Sequence, residues 1–202
     1  MSTALVTVGT TYFDELISEV NKPIFHASLY RLGYRKLIVQ YGSGTVTPVQ
    51  PTRDAVTTAA HGVFDRAPEL KPLVLEKFQY KDDLEQEFTT ASLIISHGGA
   101  GTCMQALTPF GKRRLIIVVN ETLMNNHQKE LAHALYAGRH ALVTTPSDLN
   151  GLLSYGSSDE RFCPDVVRLL GPSIPPAEAG FVGFKRGNPE RLTQYINQRL
   201  RA

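Results

Sequence analysis

The stretch of sequence that decides the fold is LIISHGGAGTCMQALTPFGKRRLIIVVNETLMNNHQ, residues 93–128. It begins with an apolar strand at 93–96 and turns at a glycine-rich segment, 97–102. It then continues as a short helix, 103–107, and a second apolar strand, 115–119. Where a strand turns into a helix, the first amides of the helix have no internal partner and attract anions. We therefore predict an α/β unit with an anion site at this turn.

The same alternation of strands and helices extends along the chain in both directions. We predict further strands at 4–8, 36–40, 73–78 and 141–144, and helices at 13–20, 24–32, 82–90, 126–137 and from 146 onward. Such alternation favours a mainly parallel sheet with helices on both faces, and an antiparallel edge strand is compatible with it. Ligands of such sheets gather at the carboxyl ends of the strands.

Four segments are less regular or lie at the end of the chain. Residues 41–60, rich in Thr, Pro and Gly, are predicted to form a long loop, with short irregular strands around 63–64. Prolines and scattered glycines predict an irregular segment at 156–187. A last amphipathic helix is predicted at 189–200, either packed on the chain's own sheet or docked on a partner.

Composition favours one globular domain over residues 1–202, because 42% of the residues are hydrophobic and 20% are charged. A net charge of +2 gives no basic stripe for nucleic acid. The longest apolar run is far shorter than the roughly 20 residues of a membrane-spanning helix. The first residues lead into a strand without a signal peptide, so we expect a cytoplasmic protein. Cys103 and Cys163 suggest neither a disulfide framework nor a zinc site.

The glycine-rich turn is compatible with several ligands. A nucleoside triphosphate loop is excluded, because no Gly-Lys-Ser/Thr follows the glycines. A dinucleotide fingerprint is nearly matched by Gly99 and Gly101, with Glu121 about 20 residues further on. However, Met104 occupies the third glycine position, and the turn follows the fourth strand instead of the first. Two interpretations of the turn remain: it holds a diphosphate through its backbone amides, or it is an ordinary structural turn.

Other polar residues follow predicted strands. Residues 125–128 offer four hydrogen-bonding side chains, which suit sugar hydroxyls but also the cap of a helix. Gln105 is placed either to bind a ribose or to face solvent, and Thr10 and Thr11 form either an ordinary turn or a second phosphate loop. No set of side chains indicates a nucleophile or a general base. The remaining histidines are predicted to be structural or exposed: His26, His61, His133 and His140.

Several of these segments together resemble a known family. They are VTVGTT (6–11), YKD (80–82), ISHGGAGT (95–102), VNE (119–121) and LMNNHQ (123–128). In this order and at these intervals they resemble the cytosolic catalytic subunits of the eukaryotic dolichol-pathway UDP-N-acetylglucosamine transferase. The likeness runs from residue 4 to about residue 153. That family is in turn similar to the donor-binding half of GT-B glycosyltransferases such as the bacterial peptidoglycan GlcNAc transferase.

The resemblance implies a Rossmann-like GT-B half-domain and an inverting transfer of GlcNAc from UDP-GlcNAc to GlcNAc-diphosphate-dolichol, without a cofactor or a required metal. Because a GT-B site is a cleft between two domains, it also implies a membrane-anchored acceptor-binding subunit, from which the catalytic base is expected. That partner would recruit the chain to the cytosolic face of the endoplasmic reticulum. Two alternatives stay open from the residues alone: an NAD-dependent oxidoreductase and a non-catalytic adaptor that retains the fold.

The resemblance also implies roles for individual residues. The diphosphate is assigned to Thr10, Thr11, His97, Gly98, Gly99, Ala100, Gly101 and Thr102. The GlcNAc hydroxyls are assigned to Asn126, His127 and Gln128, and the uracil edge to Tyr80 or Lys81. The chain departs from the family at Gln105, where relatives usually carry an acid for the ribose hydroxyls. Glutamine still donates and accepts, but the charge-assisted bond is lost, so weaker donor binding is expected.

Overall fold

The computed structural model describes residues 1–61, 73–120 and 126–184, without the side chains of residues 126–128. The strands are β1 (Thr3–Thr7), β2 (Lys36–Gln40), β3 (Val74–Phe78), β4 (Ala91–Ser96), β5 (Arg114–Val118) and β6 (Leu142–Thr144). The α-helices are α1 (Asp14–Val20), α2 (Pro23–Leu32), α3 (Arg53–Ala60), α4 (Glu85–Thr90), α5 (Ala100–Leu107), α6 (Asn126–Ala137), α7 (Pro146–Tyr155) and α8 (Val166–Leu170). A 3₁₀-helix follows at Pro176–Ala179.

The strands form one sheet in the order β3-β2-β1-β4-β5-β6, and neighbouring strands are parallel throughout the described residues. This is the doubly wound Rossmann order, in which the chain winds outward from the centre in both directions. The predicted α/β class is therefore confirmed, and the described strands include no antiparallel edge.

Each face of the sheet carries its own apolar core, because successive side chains of a strand point to opposite faces. In β1, Val6 belongs to the core that α1, α2, α7 and α8 cover, whereas Leu5 belongs to the core that α4, α5 and α6 cover. Strands buried on both faces are expected to be largely apolar, as the last four residues of β5, 115–118, are. The prediction of helices on both faces is confirmed.

The segment 41–60 is not a loop throughout, because α3 occupies its last part. Thr52 caps this helix by accepting a hydrogen bond from the amide of Ala55 at 3.3 Å. Val56 and Ala60 lie one helical turn apart and bury their side chains against α2. The prediction was wrong because threonines lower intrinsic helix propensity, whereas the capping residue and this packing outweigh it.

The segment 156–187 is likewise not wholly irregular, since it contains α8 and the 3₁₀-helix. Asp165 begins α8 by accepting hydrogen bonds from the amides of Val167 and Arg168. At the other end, the fully buried Arg114 of β5 donates to the carbonyls of Leu169 and Ile174. A buried cation therefore fixes a helix whose length alone could not stabilise it.

Smaller differences concern the ends of elements. The predicted helix 82–90 begins at Glu85, whose amide donates to the Asp83 carboxylate at 2.8 Å. The helix after the glycine-rich turn begins at Ala100, earlier than predicted. The irregular strands predicted near 63–64 and the helix predicted at 189–200 lie outside the described residues.

Candidate functional site

The candidate site lies where β1 and β4 end side by side at the centre of the sheet. Thr7 and Ser96, the last residues of these strands, are partners in the parallel register. The chain then leaves β1 toward α1 on one face and leaves β4 toward α5 on the other. This divergence is the topological switch point of a doubly wound sheet, where a crevice opens beyond the carboxyl ends of the strands.

The turn after β1 presents small and hydroxyl-bearing residues at this crevice. Gly9 has a φ of 65°, a conformation that side chains disfavour. Thr10 and Thr11 are exposed, and the Thr11 hydroxyl donates to the carbonyl of Val8 at 2.8 Å. The Gly9 amide is engaged by the Gln40 side chain, so Thr10 is the residue of this turn whose hydroxyl faces outward.

The turn after β4 carries the predicted anion site. Gly98 has a φ of 85°, and its amide donates to the Ser96 hydroxyl at 3.2 Å. Gly99 caps α5 and provides no side-chain acceptor for the first amides of that helix. Ala100 and Gly101 in the first turn are exposed. The arrangement leaves a helix N-terminus with its partial positive charge open to an anion.

His97 joins these two turns. Its amide donates to the carbonyl of Thr7 at 3.3 Å, and its imidazole ring packs between Gly9 and Gly99. A β-carbon on Gly9 would lie 2.7 Å from Cε1 of His97, and one on Gly99 would lie 2.7 Å from its Nε2. Burial lowers the pKa of His97, so its ring is neutral at neutral pH. The positive potential of the site therefore comes from backbone amides and not from an imidazolium.

The loop after β3 contains the two residues predicted for the uracil edge. The Lys81 ammonium forms an ion pair with the Glu87 carboxylate at 2.6 Å. Tyr80 is 52% exposed. Of the two, Tyr80 has the side chain that is available to a ligand.

Gln105 is exposed on α5 and lines a cavity of about 280 Å³ between α4 and α5. Two carboxylates, of Asp83 and Glu85, line the same cavity. The guanidinium of Arg113 lines it as well and donates to the Gln105 carbonyl at 2.8 Å, so charges of both signs surround this position.

The predicted sugar-binding residues follow β5, the strand beside β4. Helix α6 is described from Asn126 onward, whereas the residues just before it and the side chains of Asn126, His127 and Gln128 lie outside the described residues. Glu121 also lies outside them. The structure thus brings together the residues assigned to the diphosphate and leaves the sugar contacts as a prediction.

Two further residues that support the site were not predicted from the sequence. Gln40, at the end of β2, is buried and bonds to the turn after β1. Asp14, in the first turn of α1, accepts hydrogen bonds from the amides of Thr45 and Val46 and from the Thr45 hydroxyl, which hold the loop after β2. The sequence signal for Gln40 is a polar residue that directly follows the three apolar residues of β2, 37–39.

The remaining features of the described residues concern metals and membranes. Over residues 1–61, 73–120 and 126–184, no three His, Cys, Asp or Glu side chains lie together as they would to hold a metal ion. None of the described helices is long and apolar enough to cross a membrane. Cys103 is buried, and burial raises the pKa of its thiol to about 12.

Comparison with known proteins gives one family and several relatives. The sequence model of the family described as "Glycosyltransferase family 28 C-terminal domain" matches residues 3–153. The UDP-N-acetylglucosamine transferase subunit ALG13 of Homo sapiens is 40% identical over 145 residues, a match that covers 72% of this chain and 11% of the human protein. The mouse subunit is 42% identical and is also covered over 11% of its length, so the chain spans about a tenth of these two relatives.

A shorter relative and a solved structure complete the comparison. The UDP-N-acetylglucosamine transferase subunit ALG13 of Cryptococcus neoformans is 33% identical over 158 residues, covering 73% of this chain and 79% of that protein. The crystal structure of Acinetobacter baumannii MurG superposes with a TM-score of 0.48 at 20% identity, over 74% of this chain and 39% of that one.

Proposed function

Because the chain belongs to the glycosyltransferase family 28 C-terminal domain family, we propose that it is the donor-binding subunit of a UDP-GlcNAc transferase. The observation that carries this proposal is the junction of the two turns at the switch point, where His97 packs between Gly9 and Gly99 and the N-terminus of α5 lies open. The names of the relatives, each a UDP-N-acetylglucosamine transferase subunit, support the donor and the subunit character.

In the proposed reaction, GlcNAc passes from UDP-GlcNAc to GlcNAc-diphosphate-dolichol with inversion at the anomeric carbon, giving the chitobiosyl lipid. As the bond between the sugar and the diphosphate breaks, negative charge grows on the UDP leaving group. Amides of 99–102 and of the turn at Thr10 and Thr11 would stabilise that charge without a reorganisation of solvent. This chain's contribution is therefore to bind the donor, orient it and stabilise the departing UDP.

The acceptor and the catalytic base are proposed to come from a membrane-anchored partner subunit at the cytosolic face of the endoplasmic reticulum. Support comes from the α/β unit described above, which offers one side of a cleft, and from the side chains described in the turns after β1 and β4, among which no evident base lies. His97 is held between glycines with its ring neutral and packed, which suits a structural role.

The test combines the purified chain, the membrane partner, UDP-GlcNAc and GlcNAc-diphosphate-dolichol. We expect the chain alone to bind UDP-GlcNAc without making product, and the two subunits together to make the chitobiosyl lipid. Failure of the pair to make this lipid would contradict the proposed reaction. Donor binding can be followed through the amide resonances of the glycine-rich turn.

A variant at Gln128 tests the proposed sugar contact. Gln128→Ala should remove a hydrogen bond to a GlcNAc hydroxyl and lower UDP-GlcNAc affinity by about tenfold, the cost of about one such bond. The affinity for plain UDP should stay nearly unchanged, because UDP lacks the GlcNAc group that Gln128 is proposed to contact. Equal losses for both ligands in calorimetry would place Gln128 elsewhere.

The two alternatives make different predictions in the same experiment. An oxidoreductase would bind NAD and not UDP-GlcNAc; its motivation was the spacing of Gly99, Gly101 and Glu121, and the family match favours the transferase. A non-catalytic adaptor would bind the partner but no donor. Calorimetry with NAD and UDP-GlcNAc separates the three functions.

A further inference from the structure

Gln40 is a buried glutamine whose side chain has all of its hydrogen-bonding capacity engaged. Its Oε1 accepts from the Thr7 hydroxyl at 2.6 Å and from the Gly9 amide at 2.9 Å. Its Nε2 donates to the carbonyls of Gly9 and Gln79, the latter at 2.8 Å. A carboxamide offers two acceptor sites and two donors, and here each has a partner. Only 3% of the residue is exposed, so water cannot replace these partners.

These four bonds join two loops of the candidate site that lie far apart in the sequence. Gly9 belongs to the turn after β1, and Gln79 directly precedes Tyr80 in the loop after β3. The Gln40 side chain binds both the amide and the carbonyl of Gly9. These two bonds fix Gly9 in its left-handed backbone conformation. Gly9 is also one of the two glycines between which His97 packs. The carboxamide thus orients the turn after β1, which is assigned to the diphosphate. It also anchors the loop after β3, which is assigned to the uracil.

We infer that Gln40 is a positioning residue of the donor site, which fixes the turn after β1 and the loop after β3 in the arrangement that binds UDP-GlcNAc. The inference rests on the proposed function, because it assigns a role within the proposed donor site. Gln40 acts through Gly9 and Gln79 and does not touch the donor itself. Its contribution is preorganisation, since a turn already in its binding conformation loses less conformational entropy when the ligand binds.

The chemistry of the carboxamide gives a specific way to test this role. In Gln40→Glu the ionised side chain keeps both acceptors, for Thr7 and Gly9, but loses both donors and places a negative charge against two carbonyl oxygens. Burial and these oxygens disfavour the ionised form, so the pKa of the new carboxyl should be raised. The protonated form regains a donor. The defect should therefore appear when the carboxyl ionises and recede when it is protonated.

The experiment measures UDP-GlcNAc affinity of the full chain by calorimetry at about pH 8 and about pH 5.5, on either side of the raised pKa. UDP-GlcNAc suits both conditions because its diphosphate, esterified at both ends, keeps the same charge. Each variant is compared with the wild type at the same pH, which removes any effect of His97, the titratable group packed against Gly9. Thermal unfolding followed by circular dichroism establishes that each variant is folded at the temperature of the measurement.

For Gln40→Glu we expect affinity about tenfold or more below wild type at the higher pH and within about threefold of it at the lower pH. Gln40→Met, of similar length and without hydrogen-bonding groups, should bind about tenfold more weakly at both. The matched control is Gln86→Glu, which adds the same charge at an exposed position of α4 and should stay within about twofold of wild type.

The outcomes separate this inference from the function on which it rests. If the wild type does not bind UDP-GlcNAc at either pH, the proposed function fails. If the wild type binds and Gln40→Glu matches Gln86→Glu at the higher pH, or its loss is the same at both, Gln40 is not a positioning residue. If Gln40→Glu does not fold at the higher pH, Gln40→Met decides: wild-type affinity in this folded variant overturns the inference.

Discussion

At the scale of single residues, the candidate site depends on two glycines, which have no side chain, as much as on the imidazole that packs between them. His97 fills the space beside Gly9 and Gly99, and a β-carbon at either glycine would meet the ring at 2.7 Å, closer than real contacts allow. The two glycines let the backbones of neighbouring turns approach one imidazole. This close approach brings the amides after β1 and β4 to the same crevice.

Gly99→Ala tests this packing without backbone strain, because Gly99 has a φ of −61° that alanine adopts freely. The added methyl group must displace the His97 ring, so we expect the free energy of unfolding to fall by about 1–3 kcal/mol. UDP-GlcNAc affinity should fall as well. Urea denaturation measures the first quantity and calorimetry the second.

The control for this substitution is Gly151→Ala, in helix α7, where an added β-carbon meets nothing within 4 Å. Alanine is the better helix former, so this change should raise the free energy of unfolding by up to about 1 kcal/mol. If Gly99→Ala proves as stable as Gly151→Ala, the ring does not hold the position described here.

Sequence patterns could predict the glycine-rich turn but not the residue that braces the turn beside it. A cluster such as Gly98 and Gly99 after an apolar strand has a recognisable signature. Gln40 has none beyond its polarity, because its partners are Thr7, Gly9 and Gln79, separated from it by 31 to 39 residues. Those separations become contacts only through the order of strands in the sheet.

At the scale of elements, sequence patterns predicted the strands and longer helices well and missed the short helices that tertiary contacts stabilise. Each predicted strand of the described residues is present within about two residues of its predicted ends, the precision expected of such patterns. Helices α3 and α8 were missed because both occur in segments rich in turn-forming residues. A capping side chain begins each, Thr52 or Asp165, and packing against distant residues stabilises it. Packing of this kind has no local signature.

Arg114→Met tests the attachment of α8. The substitution removes the donors to the buried carbonyl of Leu169 and the partly buried carbonyl of Ile174. We expect the free energy of unfolding to fall by about 2–4 kcal/mol, since each unsatisfied buried group costs about 1–3 kcal/mol. The measurement is the midpoint of urea denaturation.

Arg168→Met provides the matched comparison, because Arg168 carries the same side chain on the exposed surface of α8 itself. Exposed substitutions of this kind usually change stability by less than about 0.5 kcal/mol. Similar midpoints for the two variants would show that the buried guanidinium contributes little to holding α8.

At the scale of the whole molecule, buried histidines make the free energy of unfolding depend on pH. Burial lowers the pKa of His26 to about 4 from an ordinary value of 6.5, and it also lowers the pKa of His97. Below pH 6.5 the unfolded chain therefore binds protons that the folded chain does not. The contribution of the neutral histidines to the free energy of unfolding is present in full above that pH and is lost as the pH falls toward 4.

We predict that His26 alone accounts for up to about 3 kcal/mol of this loss. Urea denaturation of the wild type across this pH range should show the free energy of unfolding declining with acidification. His26→Leu should flatten the decline, whereas His133→Gln, at an exposed position of α6, should leave it unchanged. An undiminished slope in His26→Leu would assign the acid sensitivity to other groups.

The pairing of β1 with β4 also has a consequence for how the protein is made. β1 begins at Thr3 but stands at the centre of the sheet, and its second neighbour begins at Ala91. During synthesis one edge of β1 stays unsatisfied until the residues of β4, from Ala91 onward, have been translated, and pairings so distant in sequence form slowly. Gly9 meets His97 only at that late step. If the proposed function holds, only the fully folded chain binds the donor. Abundant UDP-GlcNAc should therefore stabilise the folded subunit relative to incompletely folded chains, in which the exposed edge of β1 favours aggregation and degradation.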